Sequence, residues 1–263
     1  MIALPLPIQN LIGGRTGRTE GIGCSGSAVM VYEDMVLKIE PLGVAGDRTV
    51  AMMRWLAGRL PVPTVLADEA ADGMRYLLMS RIRGEMACSA AWMDRPNDLL
   101  DRLAEGLQRL WAVDTAGCPC DCGLDRELAD LRGRVERGEV DADGCTPGTF
   151  GPGGFRDPAH LLDWLACNRP AEDLVLSHGD YCLPNVMFNE KGVAGFIDLG
   201  DCGTADRWRD IAVCLKSLRR NFSGFFGGPV RPAPDEARFF DTLGIARDEE
   251  KLRYYLLLDE LFN

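Results

Sequence analysis

The stretch Leu176-Ser-His-Gly-Asp180-Tyr-Cys-Leu-Pro-Asn185, followed by Gly195-Phe-Ile-Asp198, decides how the chain reads. It supplies an Asp, an Asn five residues later, and a second Asp at the end of the next apolar run. Phosphoryl transfer to an alcohol needs these side chains: a carboxylate at the attacking oxygen, and oxygen ligands for magnesium on the nucleotide phosphates. A loop between two strands can present all three in one cleft, and Asp173–Leu176 and Val193–Ile197 are the expected strands. Asp180 is the candidate base, with Asn185 and Asp198 the candidate metal ligands. Asp198 closes an apolar run, where an unpaired carboxylate is costly, so a metal or a cluster of N–H groups is expected beside it.

Upstream, Lys38 is a charged residue in the otherwise apolar strand Val36-Leu-Lys-Ile. Its functional reading is contact with the α and β phosphates of a nucleotide; the plainer one is an exposed strand lysine. The preceding Gly21-Ile-Gly-Cys-Ser25-Gly26 favours the first, because Ser25 and the N–H groups near Gly23–Gly26 can cradle phosphate. Ser80 and Ile82 follow the strand Arg75–Met79, where backbone groups would meet the adenine edge.

Outward from these residues the chain divides in character. Strands are expected at Ser27–Tyr32, Met35–Ile39, Val62–Ala67 and Arg75–Met79, with a helix over Thr49–Leu60 that Pro61 and Pro63 end. Past Gly84 the pattern turns helical. Pro96–Asp114 carries Leu99, Leu103, Leu107 and Leu110 on one face. Leu124–Arg137, Pro158–Ala166, Asp206–Arg220 and Glu249–Phe262 are further expected helices, and Cys145–Gly154 an expected loop. Residues 1–83 thus read as a strand-rich unit that binds nucleotide, and 84–263 as a unit that carries catalysis and substrate binding.

Composition bounds the function. The 263 residues are 46% apolar and 26% charged, ordinary for a globular protein. No run approaches the roughly 18 apolar residues of a membrane span. The N-terminal Met1-Ile-Ala-Leu-Pro lacks the basic start and apolar stretch of a signal peptide, so a cytoplasmic location is expected. A net charge of −11 argues against a nucleic-acid partner and suits a cationic ligand, although acidic balance also serves solubility. Ten cysteines form no C-x-x-C pair, and Cys118-Pro-Cys120-Asp-Cys122 reads as a loop of reduced thiols. Two histidines, His160 and His178, exclude a His-rich metal site.

On these motifs the chain resembles the aminoglycoside 3'-phosphotransferases, bacterial antibiotic-resistance kinases. The resemblance runs through Ile22-Gly-Cys-Ser25, Leu37-Lys38, Trp55-Leu, Pro61-Val-Pro and Leu78-Met-Ser80. It continues through Ser177-His-Gly-Asp180, Pro184-Asn185, Gly195-Phe-Ile-Asp198 and Ala205-Asp-Arg-Trp-Arg-Asp210-Ile-Ala, and ends at Leu257-Leu-Asp-Glu260-Leu-Phe262. It implies an α+β, protein-kinase-like two-lobed fold with a small antiparallel-sheet N-lobe and a larger, mainly helical C-lobe. It also implies ATP (or GTP) and Mg2+ as cofactors, a cationic aminoglycoside as substrate, and a monomer or weak dimer. In the implied roles, Asp180 is the base and Asn185 and Asp198 hold magnesium. Lys38 binds phosphate, Ser80 and Ile82 frame adenine, and Asp210 bonds the catalytic loop. Asp259, Glu260, Asp141 and Asp143 bind substrate ammonium groups, to which carboxylates lining an open cleft are suited.

The chain departs from the family pattern at several positions. Thr49 stands where a helix-borne Glu usually faces the lysine, with Asp47 and Glu40 as nearby carboxylates. Val36 replaces an aromatic residue that stacks on adenine; Asp201 and Lys216 replace arginines; Asn263 follows Phe262. Two other readings stay open on sequence: a kinase of another small cationic alcohol or sugar, and a nucleotide-binding relative without transfer activity.

Overall fold

The structure is a computed structural model that describes residues 4–20 and 27–262. Its N-terminal part is a five-stranded antiparallel sheet of β1 (Arg18–Glu20), β2 (Ala28–Val31), β3 (Met35–Pro41), β4 (Val65–Ala71) and β5 (Met74–Ser80). The spatial order is β1-β2-β3-β5-β4. Side chains of a strand alternate between faces, and β3 uses both. Met35, Leu37 and Ile39 are buried against Ile8 and Ile12 of a short helix, α1 (Leu6–Ile12). Val36, Lys38 and Glu40 point to the opposite face. There Leu77, the register partner of Lys38, packs in one cluster with Val50, Met53 and Leu56 of α2 (Val44–Leu56). Lys38 is therefore an inward residue of the helix-covered face.

A short strand, β6 (Glu85–Met86), and two helices, α3 (Ala90–Met93) and α4 (Pro96–Trp111), open the second part. Then come α5 (Leu124–Glu136), α6 (Pro158–Cys167), β7 (Leu174–Ser177), β8 (Val186–Asn189), β9 (Gly192–Phe196) and β10 (Gly203–Asp206). The chain closes with α7 (Arg207–Phe222), α8 (Glu236–Leu243) and α9 (Glu249–Asp259). The apolar stripe expected on α4 is present, with Leu99, Leu103, Leu107 and Leu110 all fully buried. α7 lies deepest, with Ile211, Ala212, Cys214 and Leu215 buried on successive faces, α4 to one side and α9 packed along it.

Two pairs of register partners place the site. β7 pairs with β10 so that Ser177 faces Gly203, and β8 pairs with β9 so that Val186 faces Phe196. The chain leaving β7 and the chain entering β10 are thus neighbours, as are the chain entering β8 and the chain leaving β9. Loops 178–185 and 197–202 must then emerge side by side. This is how Asp180 and Asp198, eighteen residues apart, come to share a cleft.

The expected elements are mostly where the periodicity puts them. α2 begins at Val44, five residues before the expected Thr49, because its first turn (Val44, Ala45, Asp47, Arg48) is too exposed to carry an apolar period. The strand expected from Val62 begins at Val65, past Pro63, which has no N–H for a ladder. The sequence pattern does not announce β6, β8, β10, α1, α3 or α8; the three strands are two to four residues each, too short for alternation to stand out. Among the described residues no helix is long and apolar enough to cross a membrane.

Candidate active site

The loop after β7 is held from below by Asp210 of α7. Its carboxylate, fully buried, accepts bonds from Ser177 Oγ (3.0 Å), His178 N (2.7 Å) and Gly179 N (2.9 Å). His178 is buried as well and joins the two loops, its Nε2 lying 3.0 Å from Ile197 O. Gly179 has φ +85°, and a Cβ there would lie 2.0 Å from Asp201 O and 2.3 Å from Arg209 Nη1. No side chain fits, so the glycine is dictated by close approach as well as by backbone conformation. Above this frame Asp180 Oδ2 accepts a bond from Asn185 Nδ2 at 2.8 Å, and Cys182 of the same loop bonds the Asp180 carboxylate. Burial pushes the Asp180 carboxyl above its usual range, and the charges of Asp198 and Asp201 add to that. His178 and the Cys182 bond pull the other way.

Asp198 faces Asp180 from the second loop. Its φ of +59° turns the chain out of β9, a left-handed conformation that Asp tolerates better than most residues. The turn removes the burial cost anticipated from the apolar run, since the side chain is 58% exposed to the cleft. Lys38 Nζ lies 3.8 Å from Asp198 Oδ1 and 3.0 Å from Glu40 Oε2. Burial works against the lysine's charge, but the two carboxylates outweigh it and raise its pKa. Magnesium takes oxygen ligands and keeps much of its water, so one or two protein oxygens beside a phosphate suffice. The Asn185 amide and the exposed Asp198 carboxylate are donors of that kind, whereas the described residues hold no group of three or more His, Cys, Asp or Glu that could bind a metal unaided.

Ser80 and Ile82, expected to frame the nucleotide base, lie where β5 passes into the second part. Ser80 exchanges bonds with Thr64: its N donates to Thr64 O and its Oγ accepts from Thr64 N, both at 2.8 Å. Ile82 lies against Gly195 of β9, where a Cβ would come within 3.0 Å of Ile82 Cγ2. Ser25 and its glycines fall outside the described residues, as does Asn263.

Beside Asp180 opens a cavity of about 480 Å³, lined among others by Asp180, Asp201, Asp259, Arg134, Arg209 and Phe262. Here the structure separates the four expected substrate acids. Asp259 borders the cavity, 25% exposed and bonded at 2.5 Å to Lys216 Nζ. Its neighbour Glu260 is buried and turned away. It accepts from Thr146 N (2.7 Å) and Thr146 Oγ1 (2.6 Å) and lies 3.0 Å from Lys216 Nζ. Burial works against its charge, but those bonds outweigh it and hold the carboxyl below its usual range. α9 ends at Asp259 and the last turn tightens to a 3-10 turn over Glu260–Phe262, so adjacent side chains diverge. Asp141 accepts from Asp143 N and caps the turn at Ala142–Gly144; neither acid lines the cavity.

Arg209 and Cys182 were given no role from sequence. Arg209 is buried, paired at 2.6 Å with Glu127 of α5, and donates to Asp201 O at 3.2 Å. It stands inside the Asp-Arg-Trp-Arg-Asp motif quoted above; its charge there was the available signal. Cys182, between Asp180 and Asn185, carried none.

A model of the phosphotransferase enzyme family matches residues 21–255. The chain is 39% identical to an aminoglycoside 3'-phosphotransferase of Enterococcus faecalis over 224 residues, 82% of this chain and 78% of that one. This chain belongs to the aminoglycoside phosphotransferase family. The solved structure of an aminoglycoside-3'-phosphotransferase of type VIII aligns with a TM-score of 0.81 at 28% identity, covering 97% of this chain and 96% of that one. That of aminoglycoside phosphotransferase APH(3'')-Id from Streptomyces rimosus, in complex with ADP and streptomycin, aligns with a TM-score of 0.77 at 26% identity, over 97% and 95%. The family carries the α+β, kinase-like fold described here.

Proposed function

We propose that the protein transfers the γ-phosphate of ATP to the 3'-hydroxyl of an aminoglycoside and so confers resistance. The observation that carries this is the convergence of Asp180, Asn185, Asp198 and Lys38 on one cleft whose open side is bordered by Asp201 and Asp259. Asp180 accepts the proton of the attacking hydroxyl, and its raised pKa makes it a better base than an ordinary aspartate. The Asn185 amide holds the Asp180 carboxylate in orientation. Asn185 and Asp198 would hold magnesium, which when bound neutralises the charge of the β and γ phosphates. Lys38 donates to the phosphates from the sheet side, and Ser80 and Ile82 frame the base. Little covalent chemistry is asked of the protein; positioning and charge neutralisation carry the rate. Asp259 and Asp201 attract and orient the ammonium groups of the acceptor. Consumption of ATP agrees with the cytoplasmic location expected from the sequence.

A panel of kanamycin, tobramycin and streptomycin tests this reading in a coupled ADP-release assay and in a sensitive bacterium expressing the chain. Tobramycin lacks the 3'-hydroxyl, so kanamycin turned over and tobramycin spared is the expected result. Equal protection against both overturns 3' transfer. Turnover of streptomycin alone would favour the second reading, a 3'' kinase, which the likeness to the streptomycin-bound relative motivates.

A further inference from the structure

Two carboxylates lie beside Lys38, on the sheet face that α2 covers, and they do not share it equally. Glu40 Oε2 is 3.0 Å away and Asp198 Oδ1 is 3.8 Å away. Asp47, in the first turn of α2, is taken by Arg75, which also lies 3.6 Å from Asp68. Thr49, one helical turn into α2, is buried and bonds back to Ala45 O at 3.0 Å; it has no charge to offer. The helix therefore brings no anion to the lysine.

Glu40 reaches it because of strand geometry. Residues two apart point to the same face, and Lys38 and Glu40 stand side by side on β3. Both are largely covered, at 18% and 14% side-chain exposure, so their attraction is screened less than at a surface. Gly46 of α2 makes the room: a Cβ there would come within 2.8 Å of Glu40 Oε1 and 3.3 Å of Arg75 Cδ. Among the described residues Glu40 Oε1 has no hydrogen-bond partner; the cations beside this buried carboxylate are Lys38, paired at 3.0 Å, and its cross-strand neighbour Arg75.

We propose that Glu40 is the positioning residue of the phosphate-contacting lysine, so that strand β3 sets the lysine by itself and α2 is not required to. The proposal rests on the nucleotide reading of Lys38. It has a specific consequence. With Glu40 gone, the nearest remaining anion is Asp198, the proposed metal ligand. Lys38 would collapse onto it, leaving the phosphates and competing with magnesium at once. A pair held within one strand also survives any displacement of α2, which a pair between strand and helix does not.

The test uses the full chain as wild type, Glu40→Gln, Glu40→Asp and Asp47→Asn. Steady-state kinetics with kanamycin and titration of each protein with ADP and Mg2+ are read beside melting temperatures. Glu40→Gln is expected to raise KM for ATP about tenfold, the order of one lost charge-assisted bond. It should also weaken ADP binding and raise the Mg2+ concentration for half-maximal activity, with KM for kanamycin unchanged. Glu40→Asp recovers part of the loss. Asp47→Asn lowers the melting temperature and leaves ATP parameters as in wild type. A Glu40→Gln protein with wild-type ADP affinity and Mg2+ dependence overturns the proposal, as does an Asp47→Asn protein with the full ATP defect. If Glu40→Gln does not fold, Glu40→Asp decides by the same two readings. A wild type that binds ADP but transfers no phosphate overturns the proposed activity, while the ADP affinities still decide Glu40.

Discussion

The catalytic loop and the C-terminal acids differ in how they are held. Loop 178–185 rests on backbone bonds to one buried carboxylate, on a glycine no other residue can replace, and on two strand pairings. The C-terminal acids are held together by side-chain ion pairs to Lys216, with Thr146 donating its N–H and hydroxyl to Glu260 as well, and Asp259, the one at the cavity, has the lysine as its ion-pair partner. Backbone bonds inside a core admit few alternatives, whereas an ion pair can be retuned by one substitution. On the proposed reading, the chemistry of transfer is thus built into the part that tolerates least change, and the choice of acceptor is left to the part that tolerates more.

The sharpest way to break this contrast is at the base. Asp180→Ala should lower kcat by about a thousandfold, within the range of general-base contributions, while ADP affinity stays near wild type. Near-normal turnover would show that the loop does not carry the reaction. Next comes its support: Asp210→Ala leaves the buried His178 N–H without an acceptor and Gly179 N–H with only Ser177 Oγ, and should cost about 3 kcal/mol of stability in urea unfolding. A loss well under 1 kcal/mol would mean the loop is not as dependent on α7 as its bonds suggest. On the other side of the comparison, Asp259→Asn should raise KM for kanamycin about tenfold and leave KM for ATP unchanged. A change in the ATP constant instead would erase the division of labour. The smallest effect concerns pH. Asp180 must be ionised to act as base, and its raised pKa places the acidic limb of kcat/KM above the ordinary aspartate range. Asp201→Asn removes one of the charges that raise it, so the limb should move to lower pH; a move upward contradicts the assignment.

Much of this was legible in the chain of residues. The spacing of Asp180, Asn185 and Asp198 pointed to the reaction, the periodicities to a sheet followed by helices, and Lys38 to the nucleotide side. What stayed hidden was direction. Asp259 and Glu260 are neighbours and read as one acidic pair, yet a helix ending in a tighter turn sends one to the cavity and the other to Thr146. Thr49 read as a missing partner for Lys38, and two carboxylates, Asp47 and Glu40, could have answered it. Choosing Glu40 required knowing that Arg75 occupies Asp47 and that Gly46 leaves space. Arg209 looked like any helix arginine until Glu127 and the Asp201 carbonyl were found around it.

By itself, then, the sequence determined which side chains are candidates for the proposed chemistry and the order of the elements that carry them. Both follow from local rules, since spacing, period and glycine placement act over a few residues. Only the tertiary structure decided which carboxylate neutralises which cation. Asp210, Glu127 and Lys216 each meet partners thirty or more residues away, and such pairs depend on how loops and helices pack. The same packing sets whether a given acid faces the cavity or the core, and so what it is able to bind.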